Sequence, residues 1–236
     1  MKIKQWGDIW EEKIKAQNEV GIIHGSNSSI KKVLRELKND SDLFSKWIFP
    51  KLKKSSTILD CGTGPMARHG IFFSENGYNV TGVDISKTTL KSAKKWAMKK
   101  NQKIRFIKAN LIDLSEIKEK FDLVFCTQTF WHIPAYLSLE VLKQFRNKVK
   151  EEGYCLVQIG VEKEKTLFKL INDFLYQSLF LLKKKFHTVF PVNCSSYTEE
   201  EIKDLVWRAG FKLVDRKGIF FLLQRKKIMI KNKNER

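Results

Sequence analysis

Thr57-Ile58-Leu59-Asp60-Cys61-Gly62-Thr63-Gly64-Pro65-Met66-Ala67 is the stretch on which the reading of this chain turns. A short apolar run ends in a carboxylate, a Gly-x-Gly turn follows, and a segment with helical periodicity begins at 67. Short β-prone runs bounded by glycine read as strands, and a 3.6-residue apolar period reads as helix. Gly62 and Gly64 let the backbone approach a ligand where a Cβ would block it. The polar part of that ligand would sit against the turn and the helix N-terminus.

A second carboxylate ends the next apolar run, in Val83-Asp84-Ile85, 20 residues beyond Gly64. A strand-end carboxylate at this distance accepts hydrogen bonds from ribose hydroxyls, which places an adenosine-like ligand across the carboxyl edge of the sheet. Two ligand classes fit. Gly62-x-Gly64-x-x-Ala67 formally matches the dinucleotide pattern. Asp60, however, would set its charge against a pyrophosphate, whereas an ammonium or a sulfonium would be attracted to it.

Working outward, short apolar runs alternate with amphipathic stretches. The runs are Thr57–Asp60, Tyr78–Asp84, Ile104–Lys108, Phe121–Cys126 and Tyr154–Ile159, and the helical stretches are 67–76, 87–101 and 137–150. This alternation implies a parallel sheet with helices on both faces. Phe211–Val214 and Ile219–Leu223, separated by a short turn containing Gly218, read as an antiparallel hairpin. The expected fold is therefore α/β, with a seven-stranded, mostly parallel sheet closed by that hairpin. Trp6, Ile9, Trp10, Ile14 and then Val33, Leu34, Leu37 predict an N-terminal helical cap over 1–54. The ligand-binding domain is expected over 55–224 with an insertion at 161–196, and a basic tail over 225–236.

The chain has 236 residues, 42% hydrophobic, including 17 Phe, which suffices for a full core and excludes wholesale disorder. No apolar run of about 18 residues is present, so no transmembrane helix is expected. The start, MKIKQWGDIWEE, has no apolar signal region. Cys61, Cys126, Cys155 and Cys194 are scattered without a CxxC pair, which argues against a zinc site; no metal is expected. A reduced, cytoplasmic protein is the reading. The net charge of +19 comes from 45 Lys and Arg against 26 Asp and Glu, and only 8 of the basic residues are Arg. From Ile85 to Ile112 there are nine basic residues and no acid. Runs of one charge are usually solvated surface, and readers of phosphates lean on the planar fork of Arg. The alternative is a phosphate-tracking patch for RNA.

The segment Leu59-Asp60-Cys61-Gly62-Thr63-Gly64 resembles the first motif of class I S-adenosylmethionine-dependent methyltransferases, and the resemblance extends over 55–224. The likeness is to the broad group that includes ubiquinone- and menaquinone-type methyltransferases. It implies a Rossmann-like sheet and S-adenosylmethionine as cofactor. It also implies that Asp60, Gly62, Thr63 and Gly64 lie against the cofactor's amino acid part, that Asp84 holds the ribose and that Ile85 packs on the adenine. Ala109-Asn110-Leu111-Ile112-Asp113-Leu114 looks like the family's third motif, in which Asn110 and the Leu111 amide would contact adenine. Asn110 stands where Asp is commoner. Phe121-Asp122-Leu123-Val124-Phe125-Cys126-Thr127-Gln128 resembles the fourth strand and its approach to the methyl group, which brings Thr127 into the cofactor set. Met66 stands where the family often has a third glycine.

Transfer of a methyl group is an in-line displacement in which positioning supplies much of the rate. A base helps when the acceptor is a hydroxyl or an amine, and His132, in Thr129-Phe130-Trp131-His132-Ile133-Pro134, is the candidate. The plainer reading of His132 is packing at the cofactor's edge. His69 reads as structural; His24 and His187 fall in the cap and the insertion. No Asn-Pro-Pro-Tyr or Asp-Pro-Pro-Tyr follows the fourth strand, which in similar methyltransferases marks attack by an adenine or glutamine nitrogen. Cys126 reads as core. Leu167–Leu182 is apolar around most of a helix and precedes Lys183-Lys184-Lys185. It reads as a core helix that also lids an apolar or aromatic acceptor, with a core helix alone and then peripheral membrane contact as the alternatives. The expected activity is methyl transfer to a small organic acceptor at O or N. RNA is the alternative acceptor, and a nicotinamide-dependent oxidoreductase is the alternative of a different class.

Overall fold

The computed structural model describes residues 30–164 and 195–226. The first predicted helix with Trp6 to Ile14, His24, the apolar segment Leu167–Leu182, His187, Cys194 and the tail beyond 226 lie outside the described residues. The described chain runs α1 (Ile30–Trp47), β1 (Thr57–Cys61), α2 (Arg68–Glu75), β2 (Asn79–Asp84), α3 (Lys87–Lys99), β3 (Arg105–Lys108), β4 (Phe121–Cys126), α4 (Ser138–Lys148), β5 (Val149–Gln158), β6 (Gly160–Val161), β7 (Ser196–Tyr197), α5 (Glu199–Arg208), β8 (Phe211–Lys217) and β9 (Phe220–Arg225). Seven strands form one sheet in the order β3-β2-β1-β4-β5-β9-β8. The first five are parallel to one another, and β9 runs antiparallel to both β5 and β8. This is the Rossmann-like arrangement that the alternation of runs predicts. β6 and β7 form a separate two-stranded parallel ribbon.

Alternation along each strand sorts the core into two layers. Leu59 and Cys61 of β1, Val124 and Cys126 of β4, and Cys155 and Val157 of β5 face α4 and α5, whose Val141, Leu142, Phe145, Ile202 and Leu205 cover them. Ile58, Leu123, Phe125, Leu156 and Leu222 face the other way, against Phe73 of α2 and Phe44 and Trp47 of α1. The three described cysteines are buried, and burial pushes their thiols up.

Two elements are longer than the apolar runs that announced them. β5 begins at Val149 because Val149 pairs with Phe121, and the register then jumps so that Tyr154 pairs with Leu123. The polar residues between are a bulge, and Gly153 lies so close to the Phe121 and Asp122 carbonyls that an added Cβ would stand 3.0 and 2.9 Å from them. β8 continues to Lys217 as an edge strand, where polar residues are tolerated. No helix among the described residues is long and apolar enough to cross a membrane.

The end of α1 belongs to the core. Phe44 is fully buried and meets the rings of Phe125, Phe220 and His69 edge-on, with centroids 5.2, 5.5 and 5.8 Å away. Trp47 donates its indole N–H to Asp215 of β8 at 2.7 Å, so one helix spans from the centre of the sheet to its edge. Phe44→Ala should cost about 3–5 kcal/mol in urea unfolding, the usual loss for emptying a buried aromatic site. A cost under about 1 kcal/mol would show that α1 is a detachable cover.

Candidate ligand-binding site at the β1–β4 switch point

The strand order reverses at β1, which has β2 on one side and β4 on the other. Open α/β sheets bind ligands at the carboxyl ends of strands at such a point. There the β1 exit forms a turn from Gly62 to Ala67. The Gly62 and Thr63 amides both donate to the Val83 carbonyl, at 2.8 and 2.9 Å, which ties the turn to β2. Gly62 and Gly64 have φ of +76° and +69°. The left-handed position that closes the turn is Ala67, at φ +44°, and Met66 keeps a negative φ. The missing third glycine is thus absorbed one residue later, in an alanine packed between α2 and α3.

Gly62 is needed for a reason the sequence did not disclose. A Cβ there would lie 2.2 Å from Thr129 Oγ1 and 2.4 Å from Thr129 Cγ2. The close neighbour is therefore the β4 exit. Thr129 Oγ1 stands 3.2 Å from both the Gly62 and the Thr127 carbonyl, its single proton shared between them, and bridges the two exits.

Asp60 and Asp84 have different surroundings. Asp60 is 3% exposed and accepts the Thr63 hydroxyl at 2.6 Å. Burial raises its pKa, opposed chiefly by the hydrogen bond from the Thr63 hydroxyl. Its charge lies beneath the turn, with the Thr63 hydroxyl against it. Asp84 is half-buried at the tip of β2. It accepts from the Gly64 amide at 3.3 Å and the Ser86 amide at 3.0 Å, one on each oxygen. Burial pushes its pKa up to about 6, against the opposing pull of those two amides.

Ile85 follows half-buried. Beside it, the Ala109 amide donates to the Asp84 carbonyl at 3.1 Å, bringing Asn110 and Leu111 to the same edge. Asn110 Oδ1 accepts from the Ile112 amide at 3.3 Å, and Leu111 is half-buried. Glycine turn, Asp84, Ile85, Asn110 and Leu111 therefore line one edge of the sheet.

The Thr127 side chain turns into the protein. It is 5% exposed and its hydroxyl meets His69 Nδ1 at 3.0 Å. Gln128 then takes φ +54°, and its amide donates to the buried Gln158 side chain at 2.8 Å. His132 is half-buried in a 3₁₀ turn over Phe130–His132, and its Nε2 accepts the Trp131 indole N–H at 3.1 Å. The same loop is bound to the ribbon: the Ser195 amide donates to the Trp131 carbonyl at 2.6 Å and the Ser195 hydroxyl to the Ile133 carbonyl at 2.8 Å.

Thr129, Gln158, His69 and Asp40 are the residues that sequence reasoning did not assign to the site. Their contacts span 67, 30, 58 and 29 residues respectively, and no local pattern announces such pairs.

The chain matches the family described as "Methyltransferase domain" over residues 32–216. YqeM of Bacillus subtilis (strain 168) is 29% identical over 122 residues, covering 50% of this chain and 48% of that protein. A ribosomal protein L11 methyltransferase of Dictyoglomus turgidum is 30% identical over 134 residues, covering 57% of this chain and 42% of its own length. The chain thus spans about half the length of the curated relatives it matches. Among solved structures, a magnesium protoporphyrin IX methyltransferase from Synechocystis PCC 6803, with bound SAH, superposes with a TM-score of 0.61 at 13% identity, over 85% of this chain and 89% of that one. That likeness is one of fold.

Gly62→Ala should destabilise the chain by about 2–4 kcal/mol, combining a left-handed backbone with overpacking against Thr129. Adding Thr129→Ala should restore roughly 1 kcal/mol of that in urea unfolding, since it removes the two nearest atoms, Oγ1 and Cγ2, and leaves the Thr129 Cβ at 2.7 Å together with the backbone strain. Full recovery, or none, would contradict this division.

Proposed function

The chain belongs to the methyltransferase-domain family, and from that footing we propose that it transfers a methyl group from S-adenosylmethionine to a small organic acceptor, at oxygen or nitrogen. The carrying observation is the convergence at one sheet edge of the Gly62–Gly64 turn, the Asp84 carboxylate and the Asn110–Leu111 segment. Asp84 suits a ribose. A carboxylate has about four acceptor positions, and the Gly64 and Ser86 amides use one on each oxygen. Acceptor capacity is left on both oxygens for neighbouring hydroxyls. Ile85 and Leu111 would flank the adenine, with Asn110 at its edge. Asp60, through Thr63, would supply the negative surroundings that suit an ammonium group. Family membership leaves the nicotinamide reading without support.

When bound, S-adenosylmethionine would supply a methyl carbon on a sulfonium: the acceptor lone pair would bond to that carbon in line as the carbon–sulfur bond breaks, its electron pair leaving with sulfur as a neutral thioether. The work left to the protein is orientation and exclusion of water. Thr129 and Gln158 hold the β4 exit against the glycine turn. His132 is the residue we assign to the acceptor side, where it would take the proton of a hydroxyl or amine. To do so, its Nε2 must give up the Trp131 indole N–H.

The root of the 161–196 insertion supports placing the acceptor there. Gly160 and Val161 pair with Ser196 and Tyr197, and Ser195 binds the His132 loop. Both ends of the insertion are thereby fastened beside the proposed acceptor position, as a lid requires.

A second reading, RNA as acceptor, is favoured by one observation. Lys87, Lys91, Lys94, Lys95, Lys99, Lys100, Lys103, Arg105 and Lys108 are all exposed, on α3 and on the sheet's edge beside β3. Of these, Arg105 is paired with Glu119 at 2.6 Å.

Incubation with methyl-labelled S-adenosylmethionine and cell extract, with and without RNase, separates the two. Label in small or solvent-extractable material, indifferent to RNase, is expected; label released by RNase would replace the small acceptor with RNA. A His132→Ala variant should lose turnover and keep cofactor affinity.

Affinity for S-adenosylhomocysteine (SAH) should also depend on pH through Asp84. Its pKa in the free chain is about 6, and ribose hydroxyls require the ionised form. Binding should therefore be full above pH 7 and weaken as pH falls through 6, by up to about tenfold per pH unit below it. Asp84→Asn should bind more weakly at neutral pH and show no such slope in calorimetric titration. An unchanged slope would remove Asp84 from the ribose.

A further inference from the structure

His69 is the buried centre of a chain of hydrogen bonds that joins three elements. Its Nε2 is 3.2 Å from Asp40 Oδ2 on α1, and its Nδ1 is 3.0 Å from Thr127 Oγ1 at the end of β4. The ring is 6% exposed and wedged edge-on between Phe44 and Phe125, with centroids 5.8 and 5.3 Å away. Packing on both sides leaves it little freedom to turn.

The chemistry of the three groups sets the direction of the chain. An ionised carboxylate only accepts, so His69 Nε2 must carry the proton facing Asp40. In the neutral ring Nδ1 is then an acceptor, and the Thr127 hydroxyl must donate to it. Asp40 thus selects the tautomer of His69, and His69 in turn orients the Thr127 side chain. Carboxylate, imidazole and hydroxyl stand in the same order as in hydrolytic triads. Here the hydroxyl is 5% exposed, so the arrangement serves orientation.

What it orients is the β4 exit. Thr127 precedes Gln128, the residue at φ +54°, and its carbonyl accepts from Thr129, which bridges to Gly62. A left-handed non-glycine residue persists only where its surroundings over-determine it. Gln158 holds Gln128 from the β5 side, and the His69 chain holds Thr127 from the α2 side.

We propose that Asp40, His69 and Thr127 form a positioning relay that makes the ligand-binding shape of the β4 exit depend on the docking of α1. His69 is a positioning residue in this scheme, acting through Thr127. The proposal rests on the S-adenosylmethionine reading for its effect on ligand affinity. For the relay itself it rests on the three side chains alone.

The test is a double-mutant cycle in the full chain, using Asp40→Ala and Thr127→Val, with SAH as calorimetric probe. Each single change should weaken SAH about fivefold, the usual consequence of losing one buried hydrogen bond. The double variant should be no worse than about the weaker single, because both cut the same chain. Thr127→Ser should bind as the wild type does. Losses that multiply, or a Thr127→Val chain that binds normally, would overturn the relay.

A second readout does not need the ligand. Long-range nitrogen–proton spectra of the full chain should show His69 as the neutral Nε2–H tautomer at pH 7.5. The Nδ1–H tautomer or a doubly protonated ring there would overturn the relay, whatever the affinities. If the wild type fails to bind SAH, the cofactor reading falls. The cycle is then read on urea midpoints of the free chain, where additive shifts overturn the relay and non-additive ones sustain it.

Discussion

Thr129 rests its side chain in the space that a Cβ on Gly62 would fill, and the geometry of the whole sheet edge depends on that contact. β1 and β4 are parallel neighbours, so their exits leave the sheet side by side. One turns towards α2 and the other into the loop carrying His132. A crevice forms between them only if the two backbones can come together below it. Glycine at 62 allows the approach, and the Thr129 hydroxyl fastens it to both carbonyls. The Gly62 and Thr63 amides are meanwhile committed to Val83. The shape of the turn is therefore set by contacts within the protein, and preorganisation of this kind reduces what ligand binding must spend on ordering.

The two carboxylates of the edge are divided by their surroundings. Asp60 lies under the turn, and the Thr63 hydroxyl against it tempers the effect of its burial. Asp84 stands half-buried at the tip of β2 with backbone amides as its structural partners. A group that is fully enclosed can shape a site, whereas one with unspent acceptor capacity at its mouth can bind. The same residue type thus stands in two different environments at the ends of two adjacent strands.

α1 lies against the sheet, and its packing reaches the site. Phe44 fills the layer between α2, β4 and β9, and Trp47 reaches across to β8. Because Phe44 also touches the His69 ring, the apolar packing of this helix and the polar chain from Asp40 to Thr127 are parts of one contact. At the opposite side of the site, the β6–β7 ribbon pairs Gly160 and Val161 with Ser196 and Tyr197, and Ser195 binds the His132 loop. The β4 exit is therefore held from four directions, by the glycine turn, α2, β5 and the ribbon.

Strand and helix positions were legible in the sequence because they follow from local periodicity: Phe121–Cys126 is the same run in both readings, and the others agree apart from their ends. Polar stretches hid the rest of two strands, since the bulge at Gly153 and the outer edge of β8 carry no apolar pattern. The glycine turn and the acidic tips of β1 and β2 could also be read, because turn geometry and strand ends are written in adjacent residues. Tertiary structure decided which of those residues stay open at the sheet edge and which turn into the protein. It turned Thr127 inward to His69, set Asp60 beneath Thr63, and gave Gly62 its neighbour in Thr129. Each of these rests on a contact made when distant segments pack, or on the depth to which a side chain is buried, and neither quantity has a signature within one stretch of sequence.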